Sequence, residues 1–380
     1  MRHFRPALGI MSVLSSLALA VSAQAQDRST TVIPLLNHVP PDLLATGSGA
    51  TISFTDLSMT SLRGDWTEYG QPLAGSGVFE RVDLPGLGQS LFYSTAAELQ
   101  RQTGIPAAQI SAALAISRAP DKAQLLALSG AAAARVGPAL VAKGYQDVSL
   151  ETLPMFQRGD MDYTADPAML DPADPFGDGQ GMASRIVLTG PLLAQANSWD
   201  MADALSQPQP PRSDLDAIAL ALDDPELGDP KFRGFALLQA TVLLDQAATS
   251  PGHAGIPPWQ IGLLADLASN TGNATMAIFV YTDRTDAEAA QATLTKGWDG
   301  AVYPASLGGN QTLGAVVGGQ ASVTILGEGP FAVALTTRTP LIDRAATGLP
   351  PGSPDALKNR AYLTLLRGIQ SGQMPLFGPA

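Results

Sequence analysis

Alternation between apolar and polar positions is clearest at Ala50-Thr51-Ile52-Ser53-Phe54-Thr55-Asp56-Leu57, where every second side chain can face a core. That period of two predicts a strand. Pro106 stands where a helix would open, and the apolar run 107–116 behind it reads as that helix. A short apolar strand is expected at Gln124–Leu128, and a helix over 131–143 that stops at Gly144, a residue free to take the left-handed cap. Arg185-Ile186-Val187-Leu188-Thr189 is a further strand and Trp199–Leu205 a short helix.

Beyond residue 215 the same alternation of elements resumes. The pattern predicts a strand at Ala217–Leu222, a buried helix at Phe235–Ala247, and an element at Ile261–Ala268 that fits helix and strand equally. Met276, Ile278, Phe279, Val280 and Tyr281 make 275–281 the strongest strand in the chain. Asp283 or Thr285 offers a capping oxygen to a helix that follows it and runs to Lys296, with Gly297 as its stop. Strands are expected at 322–326 and 331–336. A final helix over 355–369 places Leu357, Ala361, Leu365 and Ile369 on one face.

Such short, interrupted elements suit an α+β fold with antiparallel-rich sheets and helices packed on one face. The 38 glycines and 30 prolines argue against a long helical bundle. A proline-rich stretch at 206–214 separates 26–205 from 215–380 and reads either as a linker between two halves or as a surface loop. The two portions echo one another at an offset of 153 residues. Lys143-Gly144-Tyr145 answers Lys296-Gly297-Trp298, Leu125 answers Ile278, and Ala134 answers Ala287, which raises an internal duplication of an αβ unit.

Composition changes the picture first at the N-terminus. Arg2, His3 and Arg5 precede a mostly apolar stretch over 7–21, and Ala23-Gln24-Ala25 supplies small residues for a peptidase. These features predict a cleaved secretory signal peptide over residues 1–25. Its removal takes two of the 22 basic residues and none of the 34 acidic ones, so the formal charge falls from −12 to −14. Nucleic-acid binding depends on Lys and Arg displacing counterions from phosphates, and an acidic surface without a basic run disfavours it. No later segment has the roughly 20 consecutive apolar residues that a membrane span requires. The chain has no Cys at all. That excludes an acylated-cysteine anchor and, in an exported chain large enough to build its own core, points to a bacterial envelope.

Candidate chemistry is sparse. There is no Gly-x-Ser-x-Gly elbow, no His-Glu-x-x-His pair and no phosphate-cradling loop. Outside the leader only His38 and His253 remain, each beside Pro or Gly as in a surface loop. One unusual stretch, 159–181, carries six aspartates among prolines and glycines. Asp171, Asp174 and Asp178 are its best oxygen set for a hard cation such as calcium, although their spacing departs from the EF-hand. The same residues are ordinary turn formers, because aspartate bonds its own backbone. No other cofactor is implied. The expectation is therefore an exported protein with a non-catalytic binding role, taking a small molecule or an envelope protein. The alternative is a secreted hydrolase working through paired carboxylates, with a calcium-stabilised acidic loop.

Overall fold

The computed structural model describes residues 28–58, 96–129, 131–150, 152–171, 174–177, 180–224, 235–244, 255–269, 272–300, 311–319, 321–340, 359–370, 374 and 376. The leader, His253, Asp178 and the start of the expected final helix lie outside them. The helices are α1 (Ser29–Leu36), α2 (Ala96–Thr103), α3 (Ala133–Ala142), α4 (Trp199–Ser206), α5 (Ser213–Asp223), α6 (Arg284–Gly300), α7 (Leu313–Val317) and α8 (Arg360–Gln370). The strands of the first portion are β1 (Thr51–Asp56), β2 (Ile110–Arg118), β3 (Asp121–Leu128), β4 (Gln146–Asp147), β5 (Met155–Arg158), β6 (Ser184–Thr189) and β7 (Leu192–Ala196). Those of the second are β8 (Ala236–Leu243), β9 (Ile261–Ala268), β10 (Gly272–Tyr281), β11 (Ala321–Leu326) and β12 (Phe331–Pro340).

All twelve strands form one sheet in the order β11-β12-β10-β9-β8-β1-β2-β3-β7-β6-β5-β4. Every pairing in it is antiparallel. The fold is thus α+β on an antiparallel sheet. At its middle β1 pairs with β8, from Ile52 opposite Val242 to Thr55 opposite Gln239. The Pro-rich stretch joins α4 to α5, and the Gln209 N–H donates to the Asn37 carbonyl at 2.7 Å.

Strand periodicity sends alternate residues to opposite faces, and the two faces differ. On one face Ile52, Phe54, Leu114, Leu125, Val242, Leu263 and Ile278 belong to a single apolar cluster covered by α1, α4 and α5. Full burial of such a side chain stabilises by roughly 1.5–3 kcal/mol, so this continuous layer dominates the energetics. The opposite face is split. Leu126, Ile186 and Phe156 pack with Leu99 of α2 and with Val136 and Leu140 of α3. Leu264, Ala277 and Leu335 pack separately with α6, α7 and α8. Helices therefore cover both faces, where the sequence suggested one.

Three elements depart from the pattern read in the sequence. Residues 107–116 are a one-turn 3-10 helix, Ala107–Gln109, followed by β2. The run expected as a helix at 235–247 forms β8, in which every residue is buried. A strand covered on both faces is apolar at successive positions, and a short run of that kind carries no period to separate it from a buried helix. The segment read as a strand at 217–222 lies within α5, whose buried Leu215, Ile218 and Leu222 recur at helical spacing.

The two portions share an order of elements. Each opens with a three-strand meander (β1-β2-β3 and β8-β9-β10), and in each a later strand returns beside the third, β7 beside β3 and β12 beside β10. Between them the first portion inserts α3 and β4–β6, the second α6, α7 and β11. The likeness is one of order, and it leaves the duplication itself unconfirmed.

Candidate functional site

The split face exposes its reason in one cross-strand row. Reading across the sheet, Gln195 of β7 lies opposite Gln124 of β3, Gln124 opposite Ala115 of β2, Ala115 opposite Ser53 of β1, and Ser53 opposite Thr241 of β8. Continuing outward, the row becomes apolar on both sides, at Ile186 and Phe156 in one direction and at Leu264 and Ala277 in the other. Small and polar side chains at the centre do not fill the space between the two helical layers. A pocket of about 200 Å³ opens there, floored by β1, β2, β3 and β7.

Thr51, Ser117 and Lys122 are exposed at its mouth, whereas Gln124, Gln195 and Phe176 are buried at its closed end. The far wall is the segment Pro175–Phe176 with Met182 and Ala183. Two amides hang this wall over the sheet: Gln124 Nε2 donates to the Pro175 carbonyl and Gln195 Nε2 to the Phe176 carbonyl, each at 3.1 Å. With its Nε2 so used, the Oε1 of Gln124 is buried without any hydrogen-bond partner. A neighbouring, more polar hollow runs along Thr51, Thr241 and Leu244 to Ile369 of α8.

The wall is fixed from behind by Asp174. Its carboxylate accepts from the Phe176 N–H at 2.9 Å and from the Tyr145 hydroxyl at 3.1 Å, and it forms an ion pair with Arg158. Burial first, and then the Asp174 charge, hold the Tyr145 hydroxyl well above its ordinary value, so it stays a donor. Arg158 also donates to the Met169 carbonyl at 3.1 Å and lies over the Tyr145 ring. The next turn is anchored by Arg185, which is fully buried. It donates to Asp162 at 2.7 Å and to the carbonyls of Arg158 and Gly159, with its guanidinium over the Trp199 ring.

The expected ion ligands are placed as follows. Asp174 is occupied by the donors just described. Asp171 lies 3.5 Å from Gln102 Nε2, and Asp178 lies outside the described residues. Among the described residues no cluster of three or more metal-ligating side chains occurs. Two further loop aspartates also meet protein donors, Asp162 at the Trp199 N–H and Asp166 at the Ala168 N–H.

His38 is remote from the pocket residues in its bonding. Its Nδ1 lies 3.0 Å from the Leu205 carbonyl, and burial lowers its pKa below the usual 6.5. A second polar cluster lies under α8. Asn359 donates to the fully buried Asp266 at 2.7 Å and accepts from the Ala361 N–H at 3.1 Å, while Gln239 donates to Asp266 at 3.1 Å. It ties the start of α8 to β8 and β9, and the Tyr362 hydroxyl meets Thr241 at 2.8 Å beside the central row.

The sequence reading missed Gln124 and Gln195. Their one visible signal was a polar amide inside an otherwise apolar strand, where an unpaired amide is costly and so requires a partner.

No protein-family model and no curated protein matches the chain. Among solved structures, one described as crystal form I of TP0453 aligns over 86% of this chain and 97% of its own, at 8% identity. Its TM-score is 0.33, too low to define a shared fold. What the chain itself defines is a mixed α+β protein with a central pocket on a twelve-stranded antiparallel sheet. None of its described helices is long and apolar enough to cross a membrane.

Proposed function

We propose that this chain is an exported, non-catalytic binding protein of the cell envelope, and that a small molecule occupies the pocket on its divided sheet face. One observation carries the reading: the wall Pro175–Phe176 is held off the sheet by Gln124, Gln195 and the Asp174–Arg158 pair, so the space beneath it is built in and kept open. Ligand sites are concave, mostly apolar and largely pre-formed, with a few placed polar groups. The pocket has that make-up. Paired carboxyl groups are what glycoside-type hydrolysis uses, and among the described residues no Asp or Glu lines the pocket. Location rests on the leader-like N-terminus alone.

Thermal melts of the exported chain against a panel of small metabolites test the proposal. Ala115 sits on the pocket floor, so Ala115→Leu fills the space. A true ligand raises the midpoint of the unsubstituted protein, by mass action on the folded state, and does not raise that of the filled variant. Equal shifts in both proteins, or steady conversion of the stabilising compound into product, would overturn it.

A further inference from the structure

Resting on the export half of that reading, we propose that the folded body shields its own leader-cleavage site. The peptidase must then cut after Ala25 before α1 docks, and a chain that folds first keeps its leader. The expected cut separates Ala25 from Gln26. Three positions beyond Ala25, Arg28 is already bound to the body: its Nε donates to the Leu222 carbonyl and its Nη1 reaches the Phe235 carbonyl at 3.5 Å. The Ser29 N–H donates to Asp223 at 3.0 Å, and the Ser29 hydroxyl donates to the other oxygen of that carboxylate. These contacts are reciprocal caps. The Leu222 carbonyl is one of the last four of α5, which lack a partner inside their own helix, and Arg28 supplies a cationic donor to it. The Ser29 N–H is likewise one of the first four of α1, and Asp223 brings an anion to that end. One turn further on, Val32 and Leu36 are fully buried in the continuous apolar layer.

Reach makes these caps an obstruction. Three residues extend at most about 11 Å, so the scissile bond cannot stand farther than that from Arg28. Between the cut and Arg28 there are just Gln26 and Asp27, and on the other side the apolar stretch ends at Val21. A protease acts on chain that has opened away from the fold. To free more of the chain, α1 must leave α5 and withdraw Val32, Leu35 and Leu36 from the core. Synthesis order provides the time to cut first. Leu222 follows Arg28 by 194 positions, which take roughly 10–40 s to make at about 5–20 residues per second. During that interval the caps supplied by Leu222 and Asp223 do not yet exist.

The full-length chain, purified in detergent with its leader attached, provides the test. Bacterial signal peptidase is added either after refolding or at the moment of dilution from urea. The refolded chain should be cut at least about tenfold more slowly, because cleavage waits on opening. A flexible Gly-Ser spacer of six residues inserted between Asp27 and Arg28 lengthens the reach without touching α1, and should bring the refolded chain to the faster rate. Equal rates without the spacer, or a spacer that changes nothing, would overturn the shielding and leave the leader in place. No cut after Ala25 in either form would overturn the leader and the shielding together. A second readout uses the folded chain without its leader, so it stands even if the longer chain refolds poorly. Trypsin cuts after Arg, and its cut after Arg28, followed by mass spectrometry, should be slow and become about tenfold or more faster in Asp223→Ala, which removes both bonds from Ser29 to a charged acceptor. Cutting of the unsubstituted chain there as fast as in a short peptide of the same sequence would overturn the proposal.

Discussion

Replacing Arg158 with Met removes the guanidinium from Asp174 and keeps an unbranched side chain of similar reach. The two side chains of the pair are 17% and 8% exposed, so little water reaches the carboxylate once its partner is gone. Breaking a buried pair from one side costs about 3–5 kcal/mol. Two donors remain, the Tyr145 hydroxyl and the Phe176 N–H, which sets the working figure near the lower end, about 3 kcal/mol. Without its first 25 residues the chain has 380 − 25 = 355 residues. At about 2.1 cal/mol/K per residue its unfolding entropy is roughly 0.75 kcal/mol/K, and the melting midpoint should fall by about 4 °C. Asp174→Asn added to Arg158→Met removes the stranded charge while retaining an oxygen for both donors, and is expected to recover at least half of the loss. Urea titrations of the four proteins close the double-mutant cycle and isolate the coupling. A cost below about 1 kcal/mol for Arg158→Met, the range of solvent-exposed pairs, or strict additivity of the two changes, would refute the reasoning.

Further outcomes are expected. Amino-terminal sequencing of chain recovered from an expressing bacterial envelope should begin at Gln26, and a sequence beginning at Met1 would remove the basis for export. Millimolar calcium should leave the melting midpoint where a chelator does, because Arg158 and Tyr145 already hold Asp174; a rise of several degrees would restore an ion site around Asp171 and Asp178. Burial lowers the His38 pKa, so the unfolded chain binds its proton first, and stability should decline as pH falls below about 6.5 and through the lower folded value; His38→Gln should flatten that part of the urea midpoint against pH. Gly144 takes φ +85° with open space around it, so Gly144→Ala should cost about 1 kcal/mol and Gly144→Asn less. Gly297, in contrast, is helical, and an added Cβ would meet Leu376 at 2.1 Å, so Ala and Asn should both cost about 1–3 kcal/mol by overpacking, measured in the same urea titrations.

Those two glycines show where sequence and structure part. Lys143-Gly144-Tyr145 and Lys296-Gly297-Trp298 look alike as text. Yet the first ends α3, whereas the second lies within α6 and makes room for a distant Leu376. Strands with one polar face, such as β1, were legible from period two alone, as were β6 and β10 from their β-branched and aromatic content. What misled was burial on both faces: successive apolar residues of β2 (112–114) and of the β8 end (242–244) enter clusters on opposite sides of the sheet, which erases a period of two. The pocket was hidden for a related reason. It depends on Ser53, Ala115, Gln124 and Gln195 standing in one row, and that register is set by pairings between strands that are distant in sequence. Only Asp174 was visible beforehand, as one aspartate of an acidic, turn-rich stretch; the donors that claim it were not.

The seam between β1 and β8 joins partners nearly two hundred positions apart, through four aligned residue pairs. Ribosomes deliver β1–β7 long before β8 exists, so the nascent half-sheet carries β1 as a bare margin of unpaired amides and carbonyls, with Ile52 and Phe54 on one of its faces. Such a margin recruits whatever strand meets it first, including its twin on a neighbouring nascent chain. The yield of correctly folded molecules should therefore depend on how crowded the chains are while they await their second half.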